Sequence, residues 1–210
     1  MDLDRGAESS ASPASLSPGQ RGERTRARLL ETAIRRFGDR GFRETSLSAI
    51  AREARVSPAA VYAYFPDKEG LFIAAFDHDT NLLIDTVVTQ APVPQLAPWI
   101  GLLPRVYAVL PQHPLTRRVL EGAEPDLVPR LFDLSSARRL RQTLAAAIRA
   151  AQQAGVARQD IDADVIATGL ETLIVATVLA AVQARITGDE DRRAGVLALI
   201  VAAIRRPEQG

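Results

Sequence analysis

Few residues in this 210-residue chain could carry bond-making chemistry. Cysteine is absent, which excludes thiol nucleophiles, disulfides and cysteine-ligated zinc or iron–sulfur centres. His78 and His113 are the two histidines, too few for a histidine-rich metal site. His78 stands between Asp77 and Asp79, but three consecutive residues splay around a helix and make a poor metal clamp. His113 lies between Pro111 and Pro114 on an expected loop, and both histidines are expected at the surface. No GxSxG, GxxxxGK(S/T), GxGxxG or HExxH pattern occurs. The chain is therefore not expected to be an enzyme, and neither cofactor nor metal is expected. One residue stands apart: Lys68 is the single lysine beside 25 arginines.

The elements that must hold these residues divide into three parts. Residues 1–20 are rich in Ser, Ala and Pro, carry a formal charge of −2 and have no periodic apolar pattern, so a disordered tail is expected. This stretch lacks the apolar core of a secretory signal, which makes the cytoplasm the default location. Residues 21–70 set eleven basic side chains against seven acidic ones, a net of +4 inside a chain whose total is +1. A basic head on a near-neutral chain suggests a polyanionic partner. A solvated arginine-rich surface would give the same count.

Within the head, Leu29, Leu30, Ala33, Ile34 and Phe37 recur at helical spacing, and Gly41 ends that helix. Thr45 or Ser46 can cap a second helix bearing Leu47, Ile50, Ala51 and Ala54. Ser57 can cap a third, with Pro58 at its first position, running through AAVYAYF to Pro66. Asp67 caps a longer fourth helix over 68–89, with Leu71, Phe72, Ala75, Phe76, Leu82 and Leu83. Two short helices on a tight turn behind a longer basic one form a helix-turn-helix arrangement. Such a unit presents one exposed helix to a major groove roughly 12 Å wide.

The segment TSLSAIAREARVSPAAVYAYFPDKEGLF (45–72), preceded by RTRARLLETAIRRFGDRGF (24–42), resembles the DNA-binding head of TetR-family transcriptional regulators. The resemblance covers roughly residues 24–80. It implies a sequence-specific DNA-binding regulator, most simply a repressor, whose partner is double-stranded operator DNA. Thr45 and Ser46 would donate to a phosphate, and Lys68 would meet another. Ser57, Pro58, Ala59, Ala60 and Ala63 would face the groove, with Tyr62 and Tyr64 holding or touching the backbone. Three positions depart from the family pattern. Arg55 stands where glycine is common, Ala49 where an acid completes a capping box, and Ala59-Ala60 where a Gly-Thr pair is usual. Alanine and proline offer bases only apolar contact, such as that with thymine methyls. Arg43, Arg52, Arg55 or an N-terminal arm with Arg24 and Arg26 would have to supply the rest.

Residues 90–210 read as helical, with proline-punctuated entries and long runs near 135–154, 162–186 and 190–205. The whole chain is therefore expected to be all-α: a head at 21–67, a connecting helix at 68–89 and a second, ligand-binding and dimerisation domain. Val165 to Val182 is apolar nearly all round and approaches membrane-span length, but Glu171 inside it and the basic head speak for burial, so no membrane partner is expected. The resemblance implies a homodimer through the last two helices, with Val165, Gly169, Leu173, Leu197, Ile200 and Ile204 at the seam. It also implies an unidentified small-molecule effector. Trp99, Leu103, Tyr107 and Phe132 are the candidate lining, with His113, Glu171 or Thr172 as polar anchors. No arginine-lined cluster lies between 92 and 114, which favours an apolar or aromatic ligand. The alternative is a helical small-molecule-binding protein without operator recognition.

Overall fold

The computed structural model describes residues 17–89, 102–125, 133–184 and 190–206. Among these the regular elements are helices: α1 (Pro18–Glu44), α2 (Leu47–Glu53), α3 (Pro58–Tyr62), α4 (Lys68–Thr89), α5 (Leu102–Val109), α6 (Pro114–Leu120), α7 (Ser135–Gln153), α8 (Ala163–Gln183) and α9 (Glu190–Ile204). A 3₁₀ turn, Leu110–Gln112, joins α5 to α6. The one backbone bridge among the described residues pairs Ala157 with Arg205. The all-α expectation holds.

Two boundaries differ from expectation. α1 begins at Pro18, inside the expected tail, because Ser17 and Gln20 form a reciprocal capping box. α3 stops at Tyr62, well short of Pro66: after its five residues, Ala63 and Tyr64 form a turn. Gly41 does break α1, with φ 79°, a left-handed conformation open to glycine. The chain turns there, so Phe42 packs back onto Phe37 and Phe72, with ring centroids 6.2 and 5.3 Å apart.

Two apolar clusters result. The head cluster gathers Leu29, Leu30 and Phe37 of α1, Ile50 of α2, Val61 of α3, and Leu71 and Phe72 of α4. Fully burying one such side chain contributes about 1.5–3 kcal/mol. The body cluster gathers Leu83, Ile84 and Val87 of α4 with the inner faces of α5, α7, α8 and α9. α4 thus serves both cores, its first half in the head and its second half in the body.

α6 crosses the expected division of the chain. Its sequence lies in the second domain, yet Leu115 and Val119 are wholly buried in the head cluster. The contact is close because α1 offers no side chain there. A Cβ on Gly38 would stand 2.7 Å from Pro114 Cβ, and one on Gly41 would collide with the Arg118 guanidinium. Glu124 completes the joint, accepting from the Phe42 amide at 3.0 Å and from Arg118 Nε at 3.1 Å.

α7 and α8 form an antiparallel hairpin. Gly155 (φ 72°) turns the chain after α7, where its amide reaches the Gln152 carbonyl and the Val156 amide that of Ala151. α8 is long and apolar enough to cross a membrane by length and composition. Eight of its residues, Glu171 among them, are buried in the fold.

Candidate nucleic-acid interface

The head's two short helices are braced from behind. Arg55 adopts φ 55°, the left-handed conformation its place in the turn requires. For a side-chain-bearing residue this costs roughly 1–2 kcal/mol. Arg28 offsets it by donating to the Ala54 carbonyl and, at 3.2 Å, to the Arg55 carbonyl, capping the end of α2. Arg35 and Arg36 both pair with Glu53, and their hydrogen bonds hold its carboxyl below the ordinary glutamate range. Three of the head's arginines therefore lock α2 to α1.

On the outer side, Arg43, Glu44, Thr45, Ser46, Leu47, Ser48, Pro58, Tyr62 and Lys68 line an open concavity. Most of the expected phosphate-binding residues meet there. Lys68 opens α4, its Nζ 4.4 Å above the Phe42 ring and 3.4 Å from the Arg43 carbonyl, while Asp67 caps the helix through the Gly70 amide at 2.7 Å. The Ser46 hydroxyl accepts from the Ala49 amide at 3.2 Å, and that of Ser57 accepts from the Ala60 amide at 3.1 Å. Thr45 differs from its expected role. It is buried, and its hydroxyl donates to the Arg36 carbonyl at 3.2 Å. It fixes the α1–α2 junction and leaves Ser46 at the surface.

The tyrosines part company. Tyr62 is 59 % exposed at the rim of the concavity. Tyr64 is half-buried against the head cluster beside Gly22, and Phe65 next to it lies under Arg26, 5.5 Å from the ring centroid. The expected contact with the DNA backbone suits Tyr62, whereas Tyr64 packs beneath the start of α1. Ala59 and Ala63 are exposed and Ala60 half-exposed.

In the body, a cavity of about 110 Å³ lies between α4, α7 and α8, with Phe76, Leu83, Ile84, Leu140, Ile174 and Val178 in its walls. Thr80, Thr116 and Ser136 bring the hydroxyls. The expected lining is largely elsewhere. Trp99 and Phe132 lie outside the described residues, as does the Leu103 side chain. Tyr107 packs against the body cluster, away from the cavity wall. His113 is buried, not on the surface, with Nδ1 2.9 Å from the Asp79 carboxylate. Glu171 is buried against Arg141 at 2.9 Å, one turn from the cavity-lining Ile174, and burial raises its carboxyl above the ordinary glutamate range. Thr172 is exposed, its hydroxyl on the Thr168 carbonyl. On α4 the wall is Phe76, Thr80, Leu83, Ile84, Val87 and Val88, recurring at helical spacing and mostly aliphatic, whereas the expected lining was chiefly aromatic.

Asp77 and Asp79 also point to different tasks. Asp77 accepts from the Ser136 amide at 2.8 Å and from the Ser135 hydroxyl at the start of α7. Asp79 serves α6. Among the described residues no three His, Asp or Glu side chains gather as a metal site.

The expected seam is half displaced. On α8, Val165 (63 % exposed) and Gly169 face outward with Leu173 half-buried. On α9, Leu197 is half-buried, but Ile200 and Ile204 turn into the body core. Leu199, 64 % exposed, is the large apolar residue that faces outward among the described side chains of α9. Uniform hydrophobicity along α9 gave no sign of which face turns inward.

Residues 29–75 match the family described as bacterial regulatory proteins, tetR family. The chain is 36 % identical over 72 residues to the HTH-type transcriptional regulator BetI of Brucella canis, a match covering 33 % of this chain and 36 % of that protein. Its fold is similar to a tetR-family transcription regulator from Shewanella sp. PV-4 (TM-score 0.61, 21 % identity, 87 % of this chain and 99 % of that one). It is also similar to SmeT, the repressor of the Stenotrophomonas maltophilia multidrug efflux pump SmeDEF (TM-score 0.60, 18 % identity, 87 % and 91 %), which has been solved in complex with triclosan as well. The head is thus similar in sequence to the tetR family of bacterial regulatory proteins, and most of the chain is similar in fold to solved regulators of that family.

Proposed function

We propose that the protein is a transcriptional repressor that binds operator DNA as a homodimer in the cytoplasm and is released by a small apolar molecule. The observation that carries this is a shared support. α4 and α6 both enter the head core, and both line the body cavity through Leu83, Ile84, Thr116 and Leu120. A molecule that reshapes the cavity acts on the two helices holding the head. Hydroxyls, a lysine and helix N-termini are the usual phosphate partners, and the concavity at Lys68 supplies them beside an exposed α3. The apolar faces of α8 and α9 are the natural meeting surface of two copies.

The cavity also bears on the effector. Its volume of about 110 Å³ is of the order of the roughly 150 Å³ apolar cavity that takes up benzene, which supports a ligand built around a single ring. SmeT, similar in fold, has been solved in complex with triclosan. A ligand can drive release only by its differential affinity for the two states.

The test is titration of the dimer with DNA from upstream of its own gene at several salt concentrations, followed by addition of single-ring aromatic compounds. The expected result is salt-sensitive retention and release by apolar aromatics, accompanied by a change in Trp99 fluorescence. Release by a small, highly charged metabolite with no response to apolar compounds would overturn the effector class. Failure to retain that DNA or any selected sequence would overturn the regulator reading.

A further inference from the structure

The face that this reading sets in the major groove is built almost without hydrogen-bonding side chains. Ala59 and Ala63 are exposed, Pro58 opens α3 at the rim of the concavity, and Ala60 is half-exposed behind them. The Ser57 hydroxyl is turned to its own helix through the Ala60 amide. That of Ser46 accepts from Ala49 and pairs with Ser48 at 3.2 Å. Arg28, Arg35 and Arg36 are drawn to the turn and to Glu53, and Lys68 leans on the Arg43 carbonyl. What the tip of α3 offers a base pair is methyl and methylene surface, with Tyr62 beside it.

Among the base-edge groups of the major groove, only the thymine C5-methyl matches such a surface. Guanine and adenine N7 and the exocyclic groups each want a donor or acceptor. Alanine and proline have none to give.

Resting on the regulator reading, we infer that this protein reads its operator half-sites through thymine methyl groups, with Pro58, Ala59 and Ala63 as the specificity-determining residues. The methyl distinguishes T·A from A·T by the strand on which it stands, and from C·G by its presence. The contact is non-directional and modest. Removing one buried methyl should weaken binding about fourfold, the factor carried by burial of a single carbon-sized group.

The test starts with selection of bound duplexes from a random library by the full-length protein. Each thymine of the enriched site is then replaced singly by uracil, which differs only in lacking the methyl. The expected result is about a fourfold loss at two or more positions per half-site. At the same positions 5-methylcytosine should bind better than cytosine. In Ala59→Gly, at least one of those positions should become insensitive to uracil while the salt dependence of binding stays unchanged.

Uracil silent at every position, with 7-deazaguanine or 7-deazaadenine weakening binding instead, would overturn the inference and leave the regulator standing. That outcome would assign readout to a hydrogen-bonding side chain such as Arg52 or Tyr62. Selection that enriches no sequence would overturn both.

Discussion

The Asp79 carboxylate lies 2.9 Å from Nδ1 of His113, two buried residues from α4 and from the cap of α6. The same carboxylate accepts from the amides of Leu115 and Thr116, at 3.1 and 2.9 Å, and from the Thr116 hydroxyl at 3.0 Å. Asp79 thus satisfies the orphan donors at the start of α6 and fixes that helix to the middle of α4. Thr116 also lines the cavity and meets the Thr80 hydroxyl at 3.1 Å. Cavity, connecting helix and head-bearing helix therefore share one carboxylate.

Replacing Asp79 by alanine should strand several buried donors at once. The expected destabilisation is about 3 kcal/mol or more. Asp79→Asn, which keeps an acceptor oxygen, should lose less. Urea unfolding of both variants checks the order, and equal stability of Asp79→Ala and the parent would show the latch to be idle.

The head–body joint gives a steric counterpart. A Cβ on Gly38 would stand 2.7 Å from Pro114 Cβ and 3.0 Å from the Pro114 carbonyl carbon, so backbone must move. Gly38→Val should therefore destabilise by roughly 1–3 kcal/mol through overpacking. It should also uncouple the head, so that an apolar ligand releases DNA less completely. Denaturation and ligand-titrated DNA binding read the two effects separately. Gly169→Val, with nothing near its Cβ inside the protomer, is the control for stability alone, because it lies on the face proposed for the dimer.

How much of this was legible beforehand depends on whether the signal was local. The caps of α2, α3 and α4, the Gly41 break and the span of α4 follow from residue types at fixed offsets. The strain at Arg55 follows only from the resemblance, and the Ser17 cap of α1 was not expected. The length of α3 does not follow from such offsets, because Tyr64 and Phe65 leave the helix to pack under α1, a contact made across the chain. His113 reads as a surface residue because its partner Asp79 is 34 positions away. Ile200 and Ile204 turn into the body core, which the sequence does not signal, because an evenly apolar helix has no polar face to say which side turns inward.

Lys68 should act as a phosphate contact. Lys68→Ala should lower affinity for all sequences alike and flatten the dependence of log K on log salt by about one unit. Affinity measured from low to moderate salt on specific and non-specific duplexes is the check. A change confined to sequence preference would contradict the assignment.

The dimer seam is best tested by contrast between helix faces. Leu199→Glu and Val165→Glu place a charge on outward positions, so each should yield folded monomers with weakened operator binding. Ile200→Glu puts the charge into the body core and should unfold the protein instead. Sedimentation and circular dichroism separate the outcomes. Intact dimers in both outward variants would move the interface elsewhere.

Glu171 sets the pH behaviour of the body. Burial raises its carboxyl above the ordinary value of 4.5, and the opposing pull of Arg141 does not restore it. The folded state thus binds this proton more tightly than the unfolded chain does. The resulting contribution to stability is full below about pH 4.5, where both states are protonated. It is lost as pH rises through the raised value, where the buried carboxyl must ionise with Oε1 unbonded. Glu171→Gln carries no such proton, so the difference in stability between variant and parent should shift in the variant's favour as pH rises from 4.5 toward neutrality. Thermal melts of the two proteins across that range provide the measurement. A difference independent of pH, or one that grows in the opposite direction, would mean that the pair with Arg141 keeps the carboxylate charged throughout.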